Sequence, residues 1–146
     1  MASSFYVTIS NTAFKAEFPS NTSTNYKFKT SLDLRDGYEV AIVNQVLSNP
    51  YRNVLTAYHV TSNIVHPRVC NRTFLPIIRT GKLSSSIDVH QYIPCVPGQF
   101  DLIDIKLVKI AGSDIEQNAV YQITLHFRKL EKPGFYQKQF PLITLQ

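Results

Sequence analysis

The residues best suited to covalent chemistry are Asp88, His90 and Cys95, which together supply the orienter, base and nucleophile of a hydrolytic triad. Their spacing works against it. All three fall within one short strand and loop, Cys95 lies beyond Pro94, and no glycine-rich turn offers backbone N–H groups to an oxyanion. His59, His66, His90 and His126 could join Cys70 and Cys95 around a metal, yet no pair has the close spacing of a zinc site. The five glycines stand singly, with no phosphate-cradling motif. No two of the ten acidic residues announce themselves as a catalytic pair. The chain is therefore expected not to be an enzyme and to need no cofactor or metal.

Tyr26-Lys-Phe-Lys interleaves rings with cations, as a surface that stacks single-stranded bases would. Strict alternation favours another arrangement, with Tyr26 and Phe28 on a core face and Lys27 and Lys29 in solvent. The formal charge is +5 and the isoelectric point about 9.3, without a basic tail, a balance that favours contact with an acidic partner.

The elements that must position these side chains are strands. Tyr, Phe, Thr, Val and Ile are abundant, and period-two alternation recurs through most of the chain. Phe5, Val7 and Ile9 share a face. Tyr26, Phe28, Leu32 and Leu34 oppose Lys27, Lys29, Ser31 and Asp33. Tyr38 to Leu47 is apolar on both faces over its middle, as in a covered central strand, and follows an Asp36-Gly37 turn. Ala57 to Val65 reads as a strand or a short helix, Arg72 to Arg79 as an edge strand because it contains Pro76, and Lys82 to Tyr92 as another strand. Ile103, Ile105 and Leu107 face inward from Asp101 to Ile110. Tyr121, Ile123, Leu125 and Phe127 face the core, with Gln122, Thr124, His126 and Arg128 outward, so Arg128→Ser is expected to fold normally. Phe135 to Leu145 is the last predicted strand.

Eight or nine short strands and no convincing amphipathic helix specify an all-β, antiparallel two-sheet sandwich, a jelly roll of about eight strands in one domain over 1–146. A chain of 146 residues can bury enough surface to fold without metal or disulfide staples. The N-terminus has no secretory leader, and no apolar run approaches the roughly 20 residues of a membrane-spanning helix. A soluble, reduced, intracellular protein is expected, in which a Cys70–Cys95 disulfide is possible but not required. Asn21-Thr-Ser and Asn71-Arg-Thr fit the glycosylation triplet, a pattern that arises often by chance.

Two blocks in order resemble a known family. Phe5-Tyr-Val-Thr-Ile, Phe18-Pro-Ser-Asn-Thr-Ser-Thr-Asn-Tyr, Leu32-Asp-Leu and Tyr38-Glu-Val-Ala-Ile-Val look like the opening of proteins encoded by Polinton (Maverick) elements and adintoviruses. Tyr92-Ile-Pro, Phe100-Asp-Leu-Ile-Asp-Ile and Thr124-Leu-His-Phe-Arg resemble their closing part. The resemblance implies a penton-like or minor capsid protein with a jelly-roll fold, found in the virion and assembled inside the host cell. Its implied partners are identical subunits in a pentamer, the major capsid protein and, without sequence specificity, packaged DNA, for whose phosphates Lys27, Lys29, Lys106 and Lys109 are the candidates. A capsid spike or receptor-binding module and a single-stranded nucleic-acid-binding barrel are the alternatives.

Overall fold

The fold is a long hairpin of strands rolled up on itself, and the alternation of apolar residues decides which way each strand faces. The structure, a computed structural model, describes residues 4–10, 18, 21, 25–47, 57–70, 73–82, 87, 89–110 and 121–130. Among these are ten strands: β1 (Ser4–Ser10), β2 (Asn25–Asp33), β3 (Tyr38–Leu47), β4 (Ala57–Ser62), β5 (Arg68–Cys70), β6 (Thr73–Leu75), β7 (Ile77–Lys82), β8 (Ile93–Pro94), β9 (Gln99–Lys109) and β10 (Tyr121–Lys129). Four antiparallel pairs nest inside one another: β4 with β7, β3 with β8, β2 with β9, and β1 with β10. Pairing of β10 with β3 and of β9 with β4 then closes two sheets, ordered β1-β10-β3-β8 (sheet A) and β2-β9-β4-β7 (sheet B). Apart from the β4–β7 hairpin, successive strands of the two sheets thus switch sheets, the connectivity of an eight-stranded jelly roll. A separate ribbon, β5 with β6, leaves the β4–β7 connection.

The inner faces of the sheets carry the predicted residues. Ile9, Tyr26, Phe28, Leu32 and Leu34 join Ile103, Ile105, Leu107, Ile123, Leu125 and Phe127 in one buried cluster. Phe5 and Val7 pack against its margin. Tyr26 and Phe28 therefore belong to the core and offer no exposed ring for a base to stack on. β3 is buried on both faces at Val40, Ala41 and Ile42, as its apolar middle requires.

The corner that carries the chain from sheet B to sheet A is built by local chemistry. Gly37 N–H donates to Leu34 O at 3.3 Å, and Gly37 has φ +92°, a conformation costly for any residue with a Cβ. Asp33 accepts from the Arg35 backbone N–H and from its guanidinium through both carboxylate oxygens, at 2.8–3.1 Å. That fork holds the Asp33 carboxyl down at about 2.

The middle third differs from expectation. Residues 57–62 are strand, not helix. The predicted edge strand over 72–79 is two strands, since Pro76 has no N–H for a ladder and separates β6 from β7. Residues 87 and 89–92 are not strand, and the chain rejoins sheet A only at Ile93–Pro94. The predicted strand over 135–145 lies outside the described residues.

Candidate functional site

The outward faces of the two sheets can offer chemistry, and they are unlike each other. Among the described residues a crevice between Ile42, Ile78, Arg79, Val89 and Gln91 has room for about one water, ~20 Å³.

Sheet B is the cationic face. Lys27 and Lys29 alternate outward along β2, Lys27 partly covered and Lys29 exposed. Lys106 stands on the adjoining row of β9, its side chain half exposed. Asp104, directly across from Lys27, sits among them with Oδ2 3.8 Å from Lys106 Nζ, so part of the charge is offset. Lys109 ends β9 opposite Tyr58, three residues beyond Lys106 and past the first residue of β2. Register thus sets Lys27, Lys29 and Lys106 on the paired stretch of β2 and β9, with Lys109 beyond it. At the centre of this face His59 and Thr61 are buried, with His59 Nδ1 2.8 Å from Thr80 Oγ1.

Two asparagines clamp strand backbones on this sheet. Asn21 is buried; its Nδ2 donates to Lys27 O (2.8 Å) and its Oδ1 accepts from Lys27 N–H (3.0 Å). One side chain so imitates a paired strand residue on the outer edge of β2. Its amide nitrogen is committed to this contact, which leaves the Asn21-Thr-Ser triplet without an available acceptor; Asn71 lies outside the described residues. Asn63, just past β4, does the same for β9, donating to Leu102 O (2.9 Å) and accepting from Asp104 N–H (3.0 Å).

Sheet A carries an aromatic and polar cluster that no local pattern announced. The β1–β10–β3 register sets Tyr6, His126 and Ala41 in one row and Arg128 beside Glu39 in the next. Tyr6, 65% exposed, stacks on the His126 ring with centroids 4.5 Å apart. From the segment before β8, Tyr92 reaches over so that its OH lies 2.6 Å from His126 Nδ1. The Arg128 guanidinium covers the Tyr92 ring at 3.5 Å and bonds through Nε to the buried carboxylate of Glu39. Arg128 is thus a bound cation rather than a loose solvent group, and the contacts that Arg128→Ser would weaken are those to Glu39 and the Tyr92 ring. Burial, then Arg128, then His90 hold the His126 imidazole below its ordinary value, so it is neutral at neutral pH, and with the proton on Nε2 its Nδ1 can accept from the Tyr92 hydroxyl. Sequence reasoning placed His126 and Arg128 outward correctly; only the segment contributing Tyr92, misread as strand, hid the cluster.

The hydrolytic combination gains nothing. Cys95 is a free, buried thiol, and burial, with Glu39 second, pushes it far above the range in which a thiolate forms. Asp88 lies outside the described residues, and His90 is exposed. Among the described residues no three His, Cys, Asp or Glu side chains are placed to hold a metal, and no helix is long and apolar enough to cross a membrane.

The ribbon of β5 and β6 ends the inventory. Val69 and Phe74 are cross-strand partners, 74% and 63% exposed, and Arg68 ties the ribbon back through Nη2 to Ile77 O at 2.8 Å.

Fold and surfaces together define an antiparallel jelly-roll sandwich with one cationic and one aromatic-polar outer face. No protein-family model, curated protein or solved structure matches this chain.

Proposed function

We propose that this chain is a structural protein of a DNA virus or virus-like element, a penton-like or minor capsid subunit that assembles through the flanks of its jelly roll at capsid vertices. The observation that supports this most is the agreement between connectivity and wording. The blocks that resemble Polinton and adintovirus proteins fall on β1, both ends of β2, β3, β8, β9 and β10, which form three of the four nested pairs of the roll. Tyr92-Ile-Pro and Thr124-Leu-His-Phe-Arg, far apart in the chain, meet in the sheet A cluster.

In this reading identical subunits pack side by side into a closed ring, five being the number the resemblance implies, with the major capsid protein at the rim. The exposed Val69–Phe74 ribbon supplies apolar area for such a contact. Sheet B, with Lys27, Lys29 and Lys106, turns toward the packaged genome and meets phosphates without reading bases. A base-stacking barrel is disfavoured by the burial of Tyr26 and Phe28.

Sedimentation velocity and native mass spectrometry over a range of concentrations test the assembly role. A discrete closed oligomer, dissociated by Phe74→Asp without loss of fold, is the expected result. A strict monomer that binds oligonucleotides tightly would overturn it. For the genome-facing surface, replacing Lys27, Lys29 and Lys106 by alanine should lower the salt slope of duplex DNA binding by about 2–3.

A further inference from the structure

We propose that the Tyr92–His126 contact is an acid-sensitive latch: neutral His126 holds the 89–94 segment, and with it the edge strand β8, on the outer face of sheet A, and protonation of His126 loosens that hold. The proposal concerns the isolated subunit and does not depend on the capsid reading.

The edge it secures is held by little else. β8 is two residues long, and its ladder to β3 consists of Val40 with Ile93 and Glu39 with Pro94, of which Pro94 has no N–H to give. Beyond it, Cys95 N–H donates to Tyr38 O and Val96 N–H to Ile64 O, both at 2.8 Å. Before it, the side chain of Tyr92 grips the sheet twice, by its hydroxyl on His126 and by its ring under Arg128. Underneath lie Ile93, a core residue, and the crevice bordered by Ile42, Ile78 and Val89. Loosening the segment would open apolar surface between the sheets.

Among the described residues, the charged or titratable groups facing His126 belong to this arrangement. From β1 comes Tyr6, stacked on the ring; from β3, Glu39, one row along; from the 89–94 segment, His90 and Tyr92; from its own strand, Arg128. Tyr6 and Glu39 favour an imidazolium, but the Glu39 carboxylate is already engaged by Arg128. Burial, Arg128 and His90 work the other way and outweigh them. Protonation also reverses the short hydrogen bond: Nδ1 becomes a donor, so Tyr92 must accept there and turn its own proton elsewhere, beside a second cation.

The sign follows from linkage. The released segment leaves His126 nearer its ordinary value of 6.5, so the released state binds more protons than the latched one. The hold therefore strengthens as pH rises through the interval between the lowered value and 6.5, and weakens below it.

Amide hydrogen exchange of Cys95, corrected for the chemical rate and referenced to Phe127 in the middle of β10, reads the latch at about pH 7.5 and about pH 5, while proton NMR follows the His126 ring. The expected result is a His126 titration below the ordinary range and a several-fold loss of Cys95 protection with the same midpoint. His126→Gln, which keeps an acceptor for Tyr92 and carries no charge, should stay protected at both pH values. Tyr92→Phe should be less protected at both, and His90→Gln should move the midpoint upward. A His126 that titrates at or above the ordinary value, or a pH-dependent loss that persists in His126→Gln or vanishes only in His90→Gln, overturns the proposal.

Discussion

Replacing Phe127 by alanine tests the inner face of β10 where it is most exacting. The ring is completely buried, stands between Phe5 and Val40 in the register, and stacks on Phe5 with centroids 4.9 Å apart and planes 12° from parallel. Truncating a buried Phe costs about 3–5 kcal/mol, and the lost ring pair places this site toward the upper end. Domains of this size are stable by about 5–15 kcal/mol, so the variant folds with a large part of its margin gone. With a urea m-value of about 2 kcal/mol/M, the midpoint should fall by about 2 M. Far-UV circular dichroism and tyrosine fluorescence report the transition, since the chain has eight Tyr and no Trp. Gln122→Ala, on the outer face of the same strand, is the control and should stay within about 0.5 kcal/mol of the parent. Equal midpoint shifts for the two variants would show that the strand faces have been misassigned. Phe127→Asp, which buries a charge with no partner, should not fold. Arg128→Ser takes the guanidinium from Glu39 and from the Tyr92 ring, and should cost about 1–2 kcal/mol once screening at this half-exposed site is allowed for.

Two further outcomes are expected. Asn21→Ala removes both hydrogen bonds to Lys27 and should cost about 1–3 kcal/mol by urea titration, with increased self-association on size exclusion as the β2 edge is uncovered. Asp33 should titrate at about 2 by carboxyl NMR and return to the ordinary range in Arg35→Gln. Because the folded value is depressed, whatever the fork contributes is present above the ordinary carboxylate range and is lost as pH falls toward 2.

Much of the fold could be read from the chain because an antiparallel sheet with one wet face writes its alternation directly. Phe5 to Ile9, Tyr26 to Leu34, Ile103 to Leu107 and Ile123 to Phe127 all face as their spacing requires. The two-sided burial of Tyr38 to Ile42 was also legible, although the exposure of Val46 and the bulge opposite Thr124 and Leu125 were not. Reading failed where alternation exists without a ladder. Ile87, Val89 and Gln91 mimic one face of a strand, yet Val89 is exposed and the segment serves to deliver Tyr92 across sheet A. The candidate sites divide along the same line. Lys27 and Lys29 share a strand and were found together, whereas Tyr6, Tyr92 and His126 are neighbours only through register and could not be joined by spacing. Asn21 sits in a glycosylation triplet and acts as a strand clamp, because its use depends on a backbone six residues away.

The nesting of the strand pairs has a consequence for synthesis. β10 is an interior strand of sheet A, flanked by β1 and β3, yet it leaves the ribosome after every other strand described. Until residues 121–129 emerge, neither β1 nor β3 has its main partner, and Ile9, Val40 and Ile42 must wait with their apolar faces uncovered. Completion is all at once: a single strand satisfies two ladders and covers one wall of the core. Such high-separation pairing folds slowly, and the waiting interval is when two nascent chains can exchange strands.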